Sequence, residues 1–141
     1  MTKQHLFAAR AEWEGLDDGV GSVAARGFKS AIALPTEFGG SCEGTNAEEL
    51  LLAALASCLT MTLAYSLERR IGSAPRIEAQ VEGTFATGPL RLDSVRVKLL
   101  VGPTSAERQA IEEAVTRAEQ RCMVSNLIRK TAPIDVTVDI R

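Results

Sequence analysis

The chain has 141 residues, of which 45% are hydrophobic and 24% are charged, and its formal net charge is −2. This composition is typical of a globular protein rather than a disordered one, and the length fits a single domain over residues 1–141. The slight negative charge provides no basic field for a phosphate backbone, so we expect no nucleic-acid partner. The chain has three cysteines and one histidine. Their spacing does not match any common zinc motif, so we expect no bound metal.

The N-terminal part of the chain predicts a small sheet followed by a loop. Short apolar stretches over residues 3–14 and 20–34 are broken by glycines, which is typical of strands in a meander or in hairpins. Residues 35–46 are rich in glycine and small polar residues and indicate a loop. The first residues lack a charged segment followed by an apolar one, so we expect a cytoplasmic protein whose thiols stay reduced.

The uncharged run Leu50–Leu67 predicts a long central helix. Thr45-Asn-Ala-Glu48 matches a capping box that would start it, and Gly72 would end it near Arg70. Its apolar residues lie on all sides, so we expect a sheet to cover one face and a second subunit to cover the other. The run is as long as the shortest membrane spans, but its serines, threonines and flanking charges favour a buried helix and no membrane.

The C-terminal half predicts a hairpin, two helices and a last strand. The predicted elements are strands over 76–86 and 91–101, a helix from a second capping box at 104–107 to about Gln120, a short helix after Cys122, and a strand over 133–140. Runs of like elements indicate an α+β fold, in which the long helix packs on antiparallel sheets. The Gly39-Gly40 loop does not match the phosphate-binding fingerprint of a Rossmann fold.

Three cysteines are the candidate reactive residues. Cys58 lies in the middle of the long helix, and Cys122 lies at a helix junction where Ser125 could cap the next turn. Position alone favours a packing role for both, because a thiol among apolar side chains stays protonated. The functional alternative is a nucleophilic thiol whose oxidised form reacts with a second thiol. Cys42 is interpreted as an exposed loop residue, or alternatively as a regulator of Cys58.

Glu48 is the candidate carboxylate. It either binds the backbone N–H of Thr45 as the last residue of the capping box, or orients a cation near a thiolate. About 15 Å of helical rise separates it from Cys58 on a straight helix. Cooperation between the two residues would therefore need a second helix, most simply one from a symmetry mate.

Two segments resemble the signatures of the OsmC/Ohr family of hydroperoxide-resistance proteins. The first is Thr45-Asn-Ala-Glu-Glu-Leu-Leu51 with Ala53-Ala-Leu-Ala-Ser-Cys58, close to the family form TNPEEL…AxAxC, and the second is Cys122-Met-Val-Ser-Asn126, close to CPxSN. Trp13-Glu-Gly15 and the Leu34-Pro…Phe38-Gly-Gly40 loop extend the match over most of the chain. The resemblance implies the OsmC-like fold and an intertwined homodimer with two active sites at its interface.

The resemblance also implies a thiol peroxidase that reduces organic hydroperoxides in the oxidative stress response and needs no cofactor. Cys58 would be the peroxidatic thiol that becomes a sulfenic acid, and Cys122 the resolving thiol that closes a Cys58–Cys122 disulfide. Glu48 would hold an arginine beside the thiolate. A dithiol, such as a reduced lipoyl group, would restore the pair.

The chain departs from the family pattern at several positions. Ala47 and Met123 stand where the family has prolines, which changes local stiffness. The family arginine is missing from both its usual places, Gly15-Leu-Asp-Asp-Gly19 and the position of Glu37. An arginine there would depress the pKa of the thiol. The alternative function is a non-peroxidatic OsmC-like protein that binds a small apolar or sulfur-containing ligand at the dimer interface. The candidate cations to replace the arginine are Arg10, Arg26 and Lys29 in the N-terminal strands.

Overall fold

A computed structural model describes residues 2–141. The chain divides into two compact units, of which the first ends at Leu50 and the second spans Leu51–Arg141. The elements are β1 (Ala9–Glu14), β2 (Val20–Ala25), β3 (Phe28–Ile32), a single 3-10 turn (Thr36–Phe38), α1 (Ala47–Ile71), β4 (Ile77–Ala86), β5 (Arg91–Val101), α2 (Arg108–Arg121), α3 (Met123–Arg129) and β6 (Ile134–Ile140). The predicted α+β class and order of elements are confirmed.

The first unit contains the predicted N-terminal meander. Strands β1, β2 and β3 form an antiparallel sheet in that order. Trp13 pairs with Gly21, and a Cβ atom on Gly21 would lie 2.7 Å from Cε3 of the indole. A Cβ atom on Gly19 would meet Cζ2 of the same ring at 2.7 Å. The same Cβ atoms would lie still closer to backbone oxygens, that of Glu12 for Gly21 and that of Glu14, at 2.6 Å, for Gly19, so the backbone and the indole together require glycine at both positions.

Helix α1 begins one residue later than the capping box at Thr45–Glu48 predicts. The backbone of Thr45 pairs with the end of β3, because its N–H donates to Ala31 at 3.0 Å and its carbonyl accepts from Ala33 at 2.9 Å. Thr45 thus continues the pairing of β3 through a bridge with Ile32 and lies outside the helix. Asn46 is the cap instead, and its Oδ1 accepts from the N–H of Glu49 at 2.8 Å.

The second unit contains a three-stranded sheet in the order β4, β5, β6. The predicted hairpin of β4 and β5 is confirmed as an antiparallel pair. The expectation that both sheets are antiparallel is wrong for the second one, because β6 pairs in parallel with β5, and the chain reaches it through α2 and α3. Two parallel neighbours need such a crossover connection, whereas antiparallel neighbours can be joined by a tight turn.

Helix α2 also begins later than predicted. The capping box at 104–107 does not form, because Thr104 Oγ1 accepts from the N–H of Ala106 at 3.1 Å in a local turn. The helix begins at Arg108, and the cap at Glu107 uses no side chain. Arg108 ties this first turn to β6 by donating to the carbonyl of Val138 at 3.1 Å.

One face of α1 forms the core of the second unit. Four leucines spaced one turn apart are fully buried and join one apolar cluster with alternate residues of β5: Leu55, Leu59, Leu63 and Leu67 with Val95, Val97, Leu99 and Val101. Burying each leucine stabilises the fold by about 1.5–3 kcal/mol. Within residues 2–141, α1 is the one helix long and apolar enough to span a membrane. A helix in the core of a globular protein can have the same length and composition.

The opposite face of α1 is exposed in the single chain. Met61 is 67% and Tyr65 53% exposed, and Ala54 and Ser57 are also exposed. The expectation that apolar residues surround the helix is thus confirmed, but the second unit covers one face. Coverage of the other face by a second subunit stays a prediction.

Candidate functional site

The structure brings Cys58 and Cys122 together. Cys58 lies near the middle of α1, in the part of the helix that belongs to the second unit. It is half-buried against the core, whereas Cys122 is fully buried. The thiol of Cys122 acts on the pKa of Cys58, so the two side chains are neighbours, and both residues are free thiols. Two neighbouring reduced thiols are the pair that a disulfide requires.

Cys122 joins two helices. Its N–H donates to the carbonyl of Ala118 at 2.8 Å and so closes the last turn of α2, while its carbonyl accepts from the N–H of Asn126 at 3.1 Å. Its extended backbone, with φ −74° and ψ 106°, breaks the helix between these two turns. The predicted helix junction at Cys122 is therefore confirmed.

The cap of α3 is Cys122 rather than Ser125. The Sγ of Cys122 accepts from the N–H of Ser125 at 3.4 Å. The hydroxyl of Ser125 is buried and has no hydrogen-bond partner among residues 2–141. The expectation that Ser125 caps this turn is wrong, because the preceding thiol already occupies the cap position.

Burial raises the pKa of the Cys58 thiol above its ordinary value, and the neighbouring thiol of Cys122 raises it further. The backbone N–H groups of Val124 and Met123 act in the opposite direction and lower the pKa, because they stabilise the thiolate. Among the described residues, 2–141, no cation contributes to this balance. At neutral pH, Cys58 in the single chain is therefore a protonated thiol.

Glu48 lies in the first turn of α1 and is half-buried. Because Asn46 caps the helix through Glu49, the carboxylate of Glu48 is not the capping group that the motif suggested. Glu48 belongs to the first unit, whereas both thiols belong to the second. Its role toward a cation beside Cys58 stays a prediction.

The candidate replacements for the family arginine all lie in the first unit. Arg10 on β1 forms an exposed ion pair with Glu12. Arg26 is exposed in the turn between β2 and β3, and Lys29 is exposed on β3. The idea that one of these cations acts on Cys58 stays a prediction.

Cys42 is an exposed residue of the loop before α1, as predicted. Its φ of 58° is in the left-handed region, which residues other than glycine seldom adopt. Its N–H donates to the carbonyl of Leu34 at 3.0 Å and holds the loop in this conformation. Its action on Cys58 stays a prediction.

Sequence reasoning missed the backbone donors of the site. The N–H groups of Met123 and Val124 interact with Cys58, and side-chain patterns do not reveal such groups. One signal was available in the comparison with the family form. Proline has no N–H, so Met123 supplies a donor that the Cys-Pro form lacks.

The fold and the paired thiols define a class of α+β proteins in which one cysteine is buried in the core and a second is packed against it. A family model described as OsmC-like protein matches residues 40–137, more than two thirds of the chain. The chain belongs to the OsmC-like protein family.

Relatives from several bacteria match the whole length of the chain. The uncharacterized protein YmaD of Bacillus subtilis is 26% identical over 145 residues, which cover 97% of this chain and 95% of that protein. Two crystal structures share the fold. The organic hydroperoxide resistance protein OsmC of Legionella pneumophila has a TM-score of 0.79 at 23% identity, with 96% and 99% of the two chains covered. The OsmC-like protein of Mycoplasma pneumoniae has a TM-score of 0.82 at 18% identity, with 99% of each chain covered.

Proposed function

We propose that the protein is a thiol peroxidase that reduces organic hydroperoxides. The observation that carries the proposal is the neighbouring pair of free thiols, Cys58 and Cys122. Membership of the OsmC-like family supports it, as does the likeness to the organic hydroperoxide resistance protein of Legionella pneumophila. A reducing cytoplasm would keep both thiols ready to react.

The proposed cycle has three steps. The thiolate of Cys58 attacks the outer peroxide oxygen, so that an S–O bond forms, the O–O bond breaks, and the alcohol leaves after taking up a proton. Cys122 then attacks the sulfur of the sulfenic acid, an S–S bond forms, and water leaves. A dithiol reductant, of the lipoyl type that the family resemblance implies, reduces the disulfide by thiol–disulfide exchange.

The surroundings of the thiols favour an alkyl hydroperoxide over a small polar one. Met61 lies one helical turn after Cys58 and Met123 follows Cys122, and these side chains are 67% and 64% exposed. Apolar side chains beside a reactive group bind an alkyl chain by removing it from water.

A second copy of the chain would complete the site. The exposed face of α1 around Met61 and Tyr65 is apolar, and a partner helix would cover it in an intertwined homodimer. Because no cation acts on Cys58 within the described residues, we assign activation of the thiol to an arginine or lysine that Glu48 orients in the dimer.

Peroxide titration tests the proposal. One equivalent of cumene hydroperoxide should remove two free thiols per reduced chain, and peptide mass spectrometry should find the Cys58–Cys122 disulfide. Cys42→Ser, which changes an exposed loop thiol, is the matched control and should leave this stoichiometry unchanged. A reduced protein that keeps its thiols in the presence of organic hydroperoxide would overturn the proposal.

The raised pKa of Cys58 favours one second candidate, a protein that binds a small apolar or sulfur-containing ligand without peroxidase chemistry. A protonated thiol contacts a ligand but reacts slowly with peroxide. Native mass spectrometry distinguishes the candidates, because a binder would retain unmodified thiols and carry a ligand of constant mass.

A further inference from the structure

A pocket of about 270 Å³ in the second unit is lined by side chains of α1 and α2. Its lining contains one serine and four arginines: Ser66, Arg69, Arg70, Arg117 and Arg121. None of these residues belongs to the thiol site, so the pocket calls for a separate explanation.

The hydroxyl of Ser66 is the first sign of a missing ligand. Ser66 is 5% exposed, and its Oγ has no hydrogen-bond partner among residues 2–141. A serine in a helix can ordinarily satisfy its hydroxyl with a carbonyl of the preceding turn, as Thr62 does with Cys58 at 2.8 Å. A buried hydroxyl without a partner is unfavourable, and a ligand in this pocket would provide one.

The charge of the pocket is the second sign. Only Arg70 has an acidic partner, Glu113 on α2, at 3.1 Å; no ion pair of Arg69, Arg117 or Arg121 occurs within residues 2–141. Arg117 and Arg121 are one turn apart on α2, a spacing at which like charges repel. An anion between the helices would remove this repulsion.

Two of the arginines are held in place by an aromatic ring. The guanidinium carbons of Arg69 and Arg121 lie 5.9 Å and 5.7 Å from the centre of the Tyr65 ring, which are cation–π distances. Side chains that are ordered in this way lose less conformational entropy when they bind a ligand. The site is therefore partly organised before an anion arrives.

Helix ends explain part of the cluster but not all of it. Arg69 and Arg70 lie in the last turn of α1, and Arg121 in that of α2, where positive charge is favoured. Arg117 lies a turn earlier, and the preference of helix ends for cations says nothing about the buried hydroxyl of Ser66.

We propose that this pocket binds a phosphate group carried by a small molecule. Guanidinium groups bind phosphate oxygens in bidentate fashion, and several of them can hold a doubly charged anion at once. The hydroxyl of Ser66 would donate to a further phosphate oxygen. A volume of about 270 Å³ exceeds that of a few water molecules and leaves room for a pyrophosphate or for part of a phosphate ester.

Calorimetric titration of the full-length reduced protein tests this site. Inorganic phosphate and pyrophosphate are the probes, at low ionic strength, and sodium chloride at the same ionic strength is the blank. We expect saturable binding of one anion per chain, tighter for pyrophosphate. Saturation by pyrophosphate should also raise the melting temperature, because a ligand that binds only the folded state stabilises it.

Matched variants distinguish a built site from general charge attraction. Arg117→Gln should weaken pyrophosphate binding by about tenfold or more, because a charge-assisted pair is lost, and Ser66→Ala should weaken it by several-fold. Arg96→Gln makes the same charge change at an exposed residue of β5 paired with Glu82 and should alter binding by less than about twofold.

The proposal is wrong if neither anion binds saturably, or if Arg96→Gln weakens binding as much as Arg117→Gln does. Arg117→Lys keeps the charge but not the bidentate geometry, and should bind with intermediate affinity. Failure of this proposal would leave the peroxide titration unaffected, because the two experiments share no variant and no reactant.

Discussion

The backbone N–H of Ser125 donates to Sγ of Cys122 at 3.4 Å, so the N-cap of α3 is a thiol. Caps are ordinarily oxygen acceptors from serine, threonine, aspartate or asparagine. The same sulfur is a neighbour of Cys58 and acts on its pKa. Cys122 therefore has a structural task and the proposed resolving task at once, and the two can be separated by substitution.

Cys122→Ser should separate the cap from the chemistry. The serine hydroxyl keeps an acceptor for Ser125, whereas Cys122→Ala removes it, and we expect the alanine variant to be less stable by about 1 kcal/mol. Both variants should fail to form the disulfide and should accumulate a Cys58 sulfenic acid that dimedone traps. Urea unfolding measures the first effect, and equal stabilities would refute the capping role of the sulfur.

Met123→Pro should raise the pKa of Cys58 further. The substitution removes one of the two N–H groups that lower this pKa, and Met123 is the first residue of α3, where proline is well tolerated. Thiolate absorbance in the ultraviolet measures the change in a Cys42→Ser, Cys122→Ser background. Met123→Ala retains the N–H and is the matched control; a pKa shifted equally by both variants would contradict the role of this donor.

The raised pKa of Cys58 also predicts how stability depends on pH. The folded chain keeps a proton that the unfolded chain releases near the ordinary thiol pKa of about 8.5. This contribution to stability is therefore complete below that pH and is lost as pH rises through the raised pKa of the folded protein. Melting temperatures at increasing alkaline pH should fall more steeply for wild type than for Cys58→Ser, in which the group no longer titrates. Parallel curves would contradict the shift.

Two neighbouring positions of α1 should respond differently to substitution. Leu63 is fully buried, so Leu63→Ala should lower the free energy of unfolding by about 2–5 kcal/mol. Met61 is 67% exposed in the single chain, and if the proposed homodimer forms through this face, Met61→Glu should leave the chain folded and convert that dimer to a monomer. Light scattering after size-exclusion chromatography measures the mass, and an unchanged mass would argue against a second copy on this face.

Ser125→Ala should stabilise the protein. Its hydroxyl is buried and has no hydrogen-bond partner among residues 2–141, while the N–H that binds Cys122 remains in the variant. Removal of a buried unsatisfied group gains about 1 kcal/mol. Chemical unfolding of the reduced protein measures this gain, and Ser57→Ala, whose hydroxyl donates to the carbonyl of Ala54 at 3.1 Å, is the control that should show none.

The elements with strong local patterns were predictable from the sequence. The β4–β5 hairpin follows from alternation of apolar and polar residues on both sides of a turn. Neither capping box opens its helix, because the backbone of Thr45 pairs with residues at the end of β3 and Oγ1 of Thr104 accepts from Ala106 in a turn before α2. A short motif describes one turn of chain and cannot include such partners.

The pairing of Cys58 with Cys122 was predicted from the family resemblance and not from the sequence spacing, because the spacing of two residues on different helices does not fix their distance. The arginine cluster was not visible in the sequence for the same reason. Arg69 and Arg117 are far apart along the chain and lie beside one pocket only once α1 and α2 have folded. Tertiary structure, rather than local propensity, determines both sites.

The amide proton of Ser125 can report the oxidation state of the protein. In the reduced chain it is held by the sulfur of Cys122, and closure of a disulfide would turn that sulfur toward Cys58 and weaken its hold on the amide. The resonance of Ser125 would then shift, and its exchange with solvent deuterium would quicken, at a residue that takes no part in the chemistry. Nuclear magnetic resonance could therefore follow each turnover without a label on either thiol.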